Sequence, residues 1–239
     1  MKAIARSACL AVAVAFGTNL SAATLPIVSY SVSQTPVSGF GCWFHNFNGT
    51  VVDTGRVVGG SVSCSPDAIG HVFDYANGSG TLNDGLTDTT HLLLTRSDSQ
   101  GVPLLPVIEL HLGSVYTLNE IRLLKGSFTF TQLTWATVEF GGIALGLPAV
   151  PIAGDPLSVV LDLRGTVLAG VPTSQVSVKA FQASFYGLPI DQFGIGEVVV
   201  DGDDVILAPT TKEQCKNGGW RHFDFRNQGQ CIQFVNTGK

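Results

Sequence analysis

An all-β sandwich with a small disulfide-stapled segment at its carboxyl end is the fold class this sequence predicts, and three observations predict it. The composition is rich in Gly, Val, Leu, Thr and Ser, with methionine only at position 1, a profile that suits pleated strands better than helices. Several short runs alternate apolar and polar residues with period two, whereas no segment longer than about ten residues carries a helical stripe. From residue 207 onward the chain turns polar and aromatic and is bounded by Cys215 and Cys231. So short a segment is expected to depend on a disulfide rather than on a core of its own.

Taken in order, residues 1–23 read as a secretory signal. Lys2 and Arg6 form a positive start, Leu10 to Phe16 an apolar core, and Ser21-Ala22-Ala23 a small-residue cleavage site. The apolar run is shorter than the ~20 residues a membrane-spanning helix needs. The expectation is therefore an exported, extracellular protein with no transmembrane segment. Removal of the signal leaves a sandwich domain over 24–206 and a linker with the cysteine-bounded segment over 207–239. The net charge falls from −5 to −7, since both signal charges are basic. No Lys/Arg cluster remains in the mature part, which argues against a nucleic-acid partner. Cys42, Cys64, Cys215 and Cys231 survive export, and an even number in an oxidising compartment implies two disulfides. Three pairings are possible, and the simplest joins neighbours, Cys42 with Cys64 and Cys215 with Cys231.

The strands announce themselves by alternation. Val28, Tyr30 and Val32 share one face of a first strand. The stretch from Val107 to Leu112 puts Ile108, Leu110 and Leu112 on one side and Val107, Glu109 and His111 on the other, the pattern of a half-buried strand. Gly113 interrupts it, and Leu118 to Leu124 follows as a second strand. Phe128 to Phe140 is β-rich with a change of phase that a bulge would produce. Val159 to Leu163 and Gln175 to Tyr186 are further strands. Between them, Asn83-Asp84-Gly85 is a turn signal, because Asx side chains bond nearby backbone and Gly accepts positive φ. Thr95 to Pro106 reads as a loop, Asp201 to Asp204 as an acidic turn, and Pro209-Thr210-Thr211 as a linker.

At these residues the chain resembles the discoidin-like family, the coagulation factor 5/8 type C or galactose-binding-like jelly-roll sandwich. Asp84-Gly85-Leu86-Thr87-Asp88-Thr89 is similar to the family's Asp-Gly-x-x-x-Thr turn. Ile108 to Gly113 and Tyr116 to Leu123 resemble its two following strands, and Phe193 to Gly202 its closing strand. The resemblance covers Tyr30 to Gly202, and it departs at His91, where the family often carries Trp. It implies a binding module rather than an enzyme, and it implies that Gln175 to Tyr186 pairs near the closing strand.

Two sets of side chains are candidates for chemistry. Calcium takes six to eight hard oxygens in flexible geometry. Asp84 and Thr89 in one turn could supply side-chain oxygens, with carbonyls between them, and by the resemblance Glu197 would arrive from the last strand. Elsewhere, Ser38 to Thr50 concentrates aromatic residues between glycines. Such a cluster is either a small satellite core or a platform on which a pyranose face stacks. On the second reading Trp43, His45 and Arg96, all in loop-like sequence, would contact ligand.

Catalytic patterns are missing. There is no Gly-x-Ser-x-Gly elbow, and His45, His71, His91, His111 and His222 stand in no His-x-x-x-His or His-Glu-x-x-His spacing. Nothing pairs two carboxylates across a cleft as glycoside hydrolysis requires. The sequence thus points to a secreted, non-catalytic module for carbohydrate or another extracellular surface ligand. The alternative is a structural or surface-adhesion protein with no small-molecule ligand.

Overall fold

The structure is a computed structural model that describes residues 23–36, 45–58, 70–87, 92–95, 97–125, 131–185, 187–190, 192–205, 208–223 and 225–238. Residues 1–22, which hold most of the expected signal, lie outside that set, as do Cys42, Trp43, Cys64, Thr89, His91 and Arg96.

The organising element is one strand, β6 (Val107–Leu124). The expectation of two strands separated at Gly113 is corrected, since the glycine bends the strand without ending it. Gly113 sits at φ 73°, and a side chain there would meet the Val28 side chain at 2.8 Å, so only glycine fits the bend. Before the bend Ile108, Leu110 and Leu112 are buried; after it Leu118, Ile121 and Leu123 are. The phase changes between Leu118 and Ile121, at the bulge opposite Asp201 and Gly202.

Those two halves belong to two antiparallel layers. The first half pairs with β2 (Ser29–Pro36) on one side and with β11 (Pro172–Phe185) on the other. Beyond β2 lie β4 (Gly70–Gly80) and the edge strand β3 (Phe47–Val58). Beyond β11 come β7 (Gln132–Phe140) and β8 (Ile143–Pro148). β12 (Leu188–Ile190) folds back on the end of β11. The second half of β6 pairs with β14 (Glu197–Asp204) and β10 (Asp155–Asp162). Outside them lie β1 (Ala23–Leu25) and β9 (Val150–Ile152). A two-stranded ribbon of β5 (Leu92–Thr95) and β13 (Gln192–Ile195) leads into β14.

The layers close on one hydrophobic core. Leu110, Val138 and Val178 from the larger layer and Ile121, Leu161 and Val200 from the smaller belong to a single buried cluster. This is an all-β, antiparallel sandwich of jelly-roll type, in which strands close in space are far apart in sequence.

Two local expectations change. β11 pairs with β6, β7 and β12 rather than with the closing strand, because β14 takes the other half of β6, with β1 as its outer neighbour. Asp201 to Asp204 is not a turn but the end of β14. Its Asp201 is 7 % exposed and is held by Arg122 Nη2 at 2.6 Å and by the Thr24 hydroxyl at 2.8 Å; a carboxylate so buried requires such partners. At the amino end of the described residues, Ala23 pairs with Gly202 as the first residue of β1.

The carboxyl-terminal segment forms two short 3-10 turns, Glu213–Cys215 and Gly219–Phe223, and one helix, α1 (Gln228–Thr237). The Asn227 side chain caps α1 by accepting from the Gln230 N–H at 2.9 Å, and Gly238 closes it in the left-handed region. Cys215 and Cys231 form a disulfide, and Phe225 stacks against Phe234 at 5.4 Å between ring centres. With so small a core, opening this bridge by Cys231→Ala is expected to cost the segment about 3 kcal/mol, read as rapid proteolysis within 208–238 while the sandwich stays intact. Non-reducing peptide mapping is expected to recover Cys42 joined to Cys64 as well. A peptide joining Cys42 to any other partner refutes the local pairing.

Candidate functional site

The turn at Asp84 and the start of β14 meet although they lie far apart in sequence. Leu82 is fully buried, and its carbonyl accepts from the Val198 N–H at 3.0 Å, which fastens the turn to the strand. Asn83 secures the other side, donating from Nδ2 to the Ile27 carbonyl at 2.9 Å. Asp84 accepts from the Leu86 N–H at 2.9 Å, an Asx turn. The Gly85 N–H then points at Glu197 and donates to its Oε2 at 3.0 Å. A cavity of about 390 Å³ opens here, lined by Thr24, Ile27, Asn83, Gly85, Thr87 and Glu197 among others.

Electrostatics make this corner unusual. Glu197 is 6 % exposed, and burial, reinforced by the neighbouring Asp84 carboxyl, raises its pKa to about 7 against the Gly85 hydrogen bond that lowers it. Among the described residues no Lys, Arg or His forms an ion pair with either carboxylate. A hard divalent cation beside Glu197 could take the place of the proton that burial favours there, with the exposed Asp84 as a second carboxylate. The donors are all oxygen, which suits calcium rather than a metal that prefers nitrogen or sulfur. Among the described residues no three His, Cys, Asp or Glu side chains converge, and Thr89, the third expected ligand, lies outside the described residues. Asp84 and Glu197 could serve as the anionic ligands of a calcium ion.

His45 is elsewhere and is not on a surface. It is 8 % exposed, its Nε2 lies 2.9 Å from the Tyr30 hydroxyl, and its ring packs among Phe47 at 5.6 Å and Tyr75 at 4.4 Å between centres. Burial lowers its pKa to about 3, so it stays neutral at any physiological pH. The expectation that His45 stands on an open loop is corrected, because a buried tyrosine hydroxyl needs a partner and His45 supplies one. His45 and Phe47, in the described part of the aromatic stretch, pack on Tyr30 and Tyr75 of the main core. Trp43 and Arg96, the other two expected ligand contacts, lie outside the described residues.

A third feature has only a faint signal in the sequence. On the outer face of the larger layer, β4, β2 and β6 line a groove of about 480 Å³. Its side chains include Ser31, Ser33, Asp74, Asn77, Glu109 and His111. They are the polar members of the same alternation that buries Tyr30, Val32, Ile108 and Leu110. Two are pinned by backbone: Asp74 accepts from the Gln34 N–H at 2.8 Å and Ser31 from the Asn77 N–H at 3.1 Å. The His111 Nε2 is shielded from solvent and has no hydrogen-bond partner among the described residues.

No family model and no curated protein matches the chain. Solved structures similar to it include three carbohydrate-binding modules of family 32 from Clostridium perfringens. One, from a family 31 glycoside hydrolase, has a TM-score of 0.38 and 16 % identity, covering 52 % of this chain and 81 % of its own. The module of NanJ, solved with galactose, has a TM-score of 0.36 and 12 % identity over 70 % of this chain and 98 % of its own. A third, solved with GalNAc-β-1,3-galactose, has a TM-score of 0.35 and 16 % identity over 64 % and 94 %. The class of the protein, an antiparallel jelly-roll sandwich, follows from its own strand pairing.

Proposed function

We propose that the chain is an exported, non-catalytic binding module that takes extracellular glycan in the groove formed by β4, β2 and β6, with a structural calcium ion tying the Asp84 turn to β14. The observation that carries this reading is the make-up of the groove. Hydroxyl, amide, carboxylate and imidazole groups stand at fixed spacing on paired strands, the mixture that meets a polyol's hydroxyls as both donors and acceptors. Rigid strands hold these groups in place before ligand arrives, which reduces the ordering cost of binding.

A glycan array probed with residues 24–239, with and without calcium, tests the reading. Binding is expected for a subset of glycans, and Glu109→Gln with His111→Ala is expected to weaken it about tenfold or more while far-ultraviolet circular dichroism stays unchanged. Retention of no glycan favours the second reading, a structural or adhesive protein. That reading draws support from β3, an edge strand among the described residues, whose Val51 and Val52 are 44 % and 53 % exposed.

A further inference from the structure

Resting on that glycan reading, we infer that the ligand is an uncharged polysaccharide chain lying across the strands of the larger layer, from the groove to Trp135, rather than a single terminal sugar. The register provides the track. Ser31 pairs with Glu109, Glu109 with Ser177, and Ser177 with Glu139. The next row runs from Ser33 through Val107 and Lys179 to Thr137. Every one of these residues alternates with a buried neighbour, Tyr30 and Val32, Ile108 and Leu110, Val176 and Val178, or Ala136 and Val138, so all face outward. The polar surface therefore does not stop at the groove wall but continues over β11 to β7.

At its far end stands an aromatic ring. Trp135 shares the outward face with Thr137 and Glu139, and its indole lies over Gly146 of β8, where a Cβ would come within 2.6 Å of Cζ2. The ring is thereby set down on the sheet yet remains 37 % exposed, as a stacking platform requires. From β2 to β7 is three strand spacings, about 14 Å, more than one sugar ring spans. A chain of linked pyranoses reaches both ends, meeting hydroxyl-matching groups at the groove and an apolar face at Trp135.

The charges specify the ligand's class. Lys179 is engaged by Glu139, whereas among the described residues no cation pairs with Glu109 or Asp74. The track is acidic overall, so it repels uronic-acid and sulfated polymers and admits neutral ones.

Isothermal titration of the full mature chain tests this with neutral oligosaccharides of one to six residues from the cellulose, xylan, galactan and chitin series, and with alginate and heparin fragments. At least one neutral series is expected to gain about tenfold in affinity from the shortest to the longer members, with no binding of the anionic fragments. Trp135→Ala is expected to abolish the gain with length. Ser177→Arg, a solvent-face change that leaves the core alone and blocks the middle of the track, is expected to do the same. A neutral sugar that binds equally well at every length, with both variants unchanged, overturns the extended track while leaving the glycan reading intact. Preference for the anionic fragments overturns the neutral class, and binding of no glycan of any length overturns the glycan reading itself.

Discussion

Leu110→Ala and Ile121→Ala are each expected to lower unfolding stability by about 3 kcal/mol and to shift one and the same cooperative transition. Both side chains are fully buried, but they sit on opposite halves of β6, one in each layer. Truncation leaves each with a cavity that close packing fills poorly. Because one strand serves both layers and one cluster of side chains fills the space between them, neither layer has a core to keep when the other fails. For a chain of this length the loss corresponds to roughly 10 °C in Tm, measurable by calorimetry. An Ile121→Ala protein that melts in two steps, with the larger layer surviving the first, contradicts a shared core.

The second large effect concerns pH and calcium together. In a chelator, the protein is expected to lose stability as pH rises from about 4.5 to about 7, the interval between the ordinary glutamate value and the raised value of Glu197. The sign follows from proton uptake: over that interval the unfolded chain has released the proton and the folded chain retains it, so rising pH favours unfolding. Allowing for water at the turn, the loss is on the order of 2 kcal/mol. Glu197→Gln removes the slope, since an amide does not titrate. Calcium in excess removes it too, by holding the carboxylate ionised, and at about a hundred times its Kd adds roughly 2.7 kcal/mol. Urea denaturation at pH 5 and pH 8, with EDTA or calcium, checks both claims. If stability is indifferent to chelator and the Glu197→Gln protein keeps the same pH slope, neither the ion nor the titration is located there.

How far the sequence discloses this molecule depends on which forces leave a local trace. Alternation in Val107 to Leu112 is written by burial of one face, and it reads correctly because period two is a property of the strand alone. The Asp84-Gly85 turn is equally local. That Glu197 meets it was reachable only through family resemblance, since nothing near either residue records the other. Gly113 misled for a physical reason: a glycine that ends a strand and one that bends it between two layers look the same without the partner strands. His45 was ambiguous because an aromatic cluster has the same composition whether it covers a core or greets a ligand. The pairing of β11 depends on which half of β6 is already taken, a choice made in three dimensions. The outer track was visible as the polar half of each alternating strand, yet solvent alone explains such residues until register aligns Ser31, Glu109, Ser177 and Glu139 in a row.

The pairing of β1 with β14 bears on the order in which the chain can assemble. Thr24 and Asp201 are 177 residues apart, and Gly85 and Glu197 are 112 apart. A polypeptide that emerges amino end first must hold its opening strand without a partner until nearly the whole sandwich has been made. Contacts of such long range are slow to form, because loop closure precedes any reward. Hairpins such as β7 with β8 can form early, but closure at β1 and at the Asp84 turn waits for β14, the strand that carries both Asp201 and Glu197 to their partners.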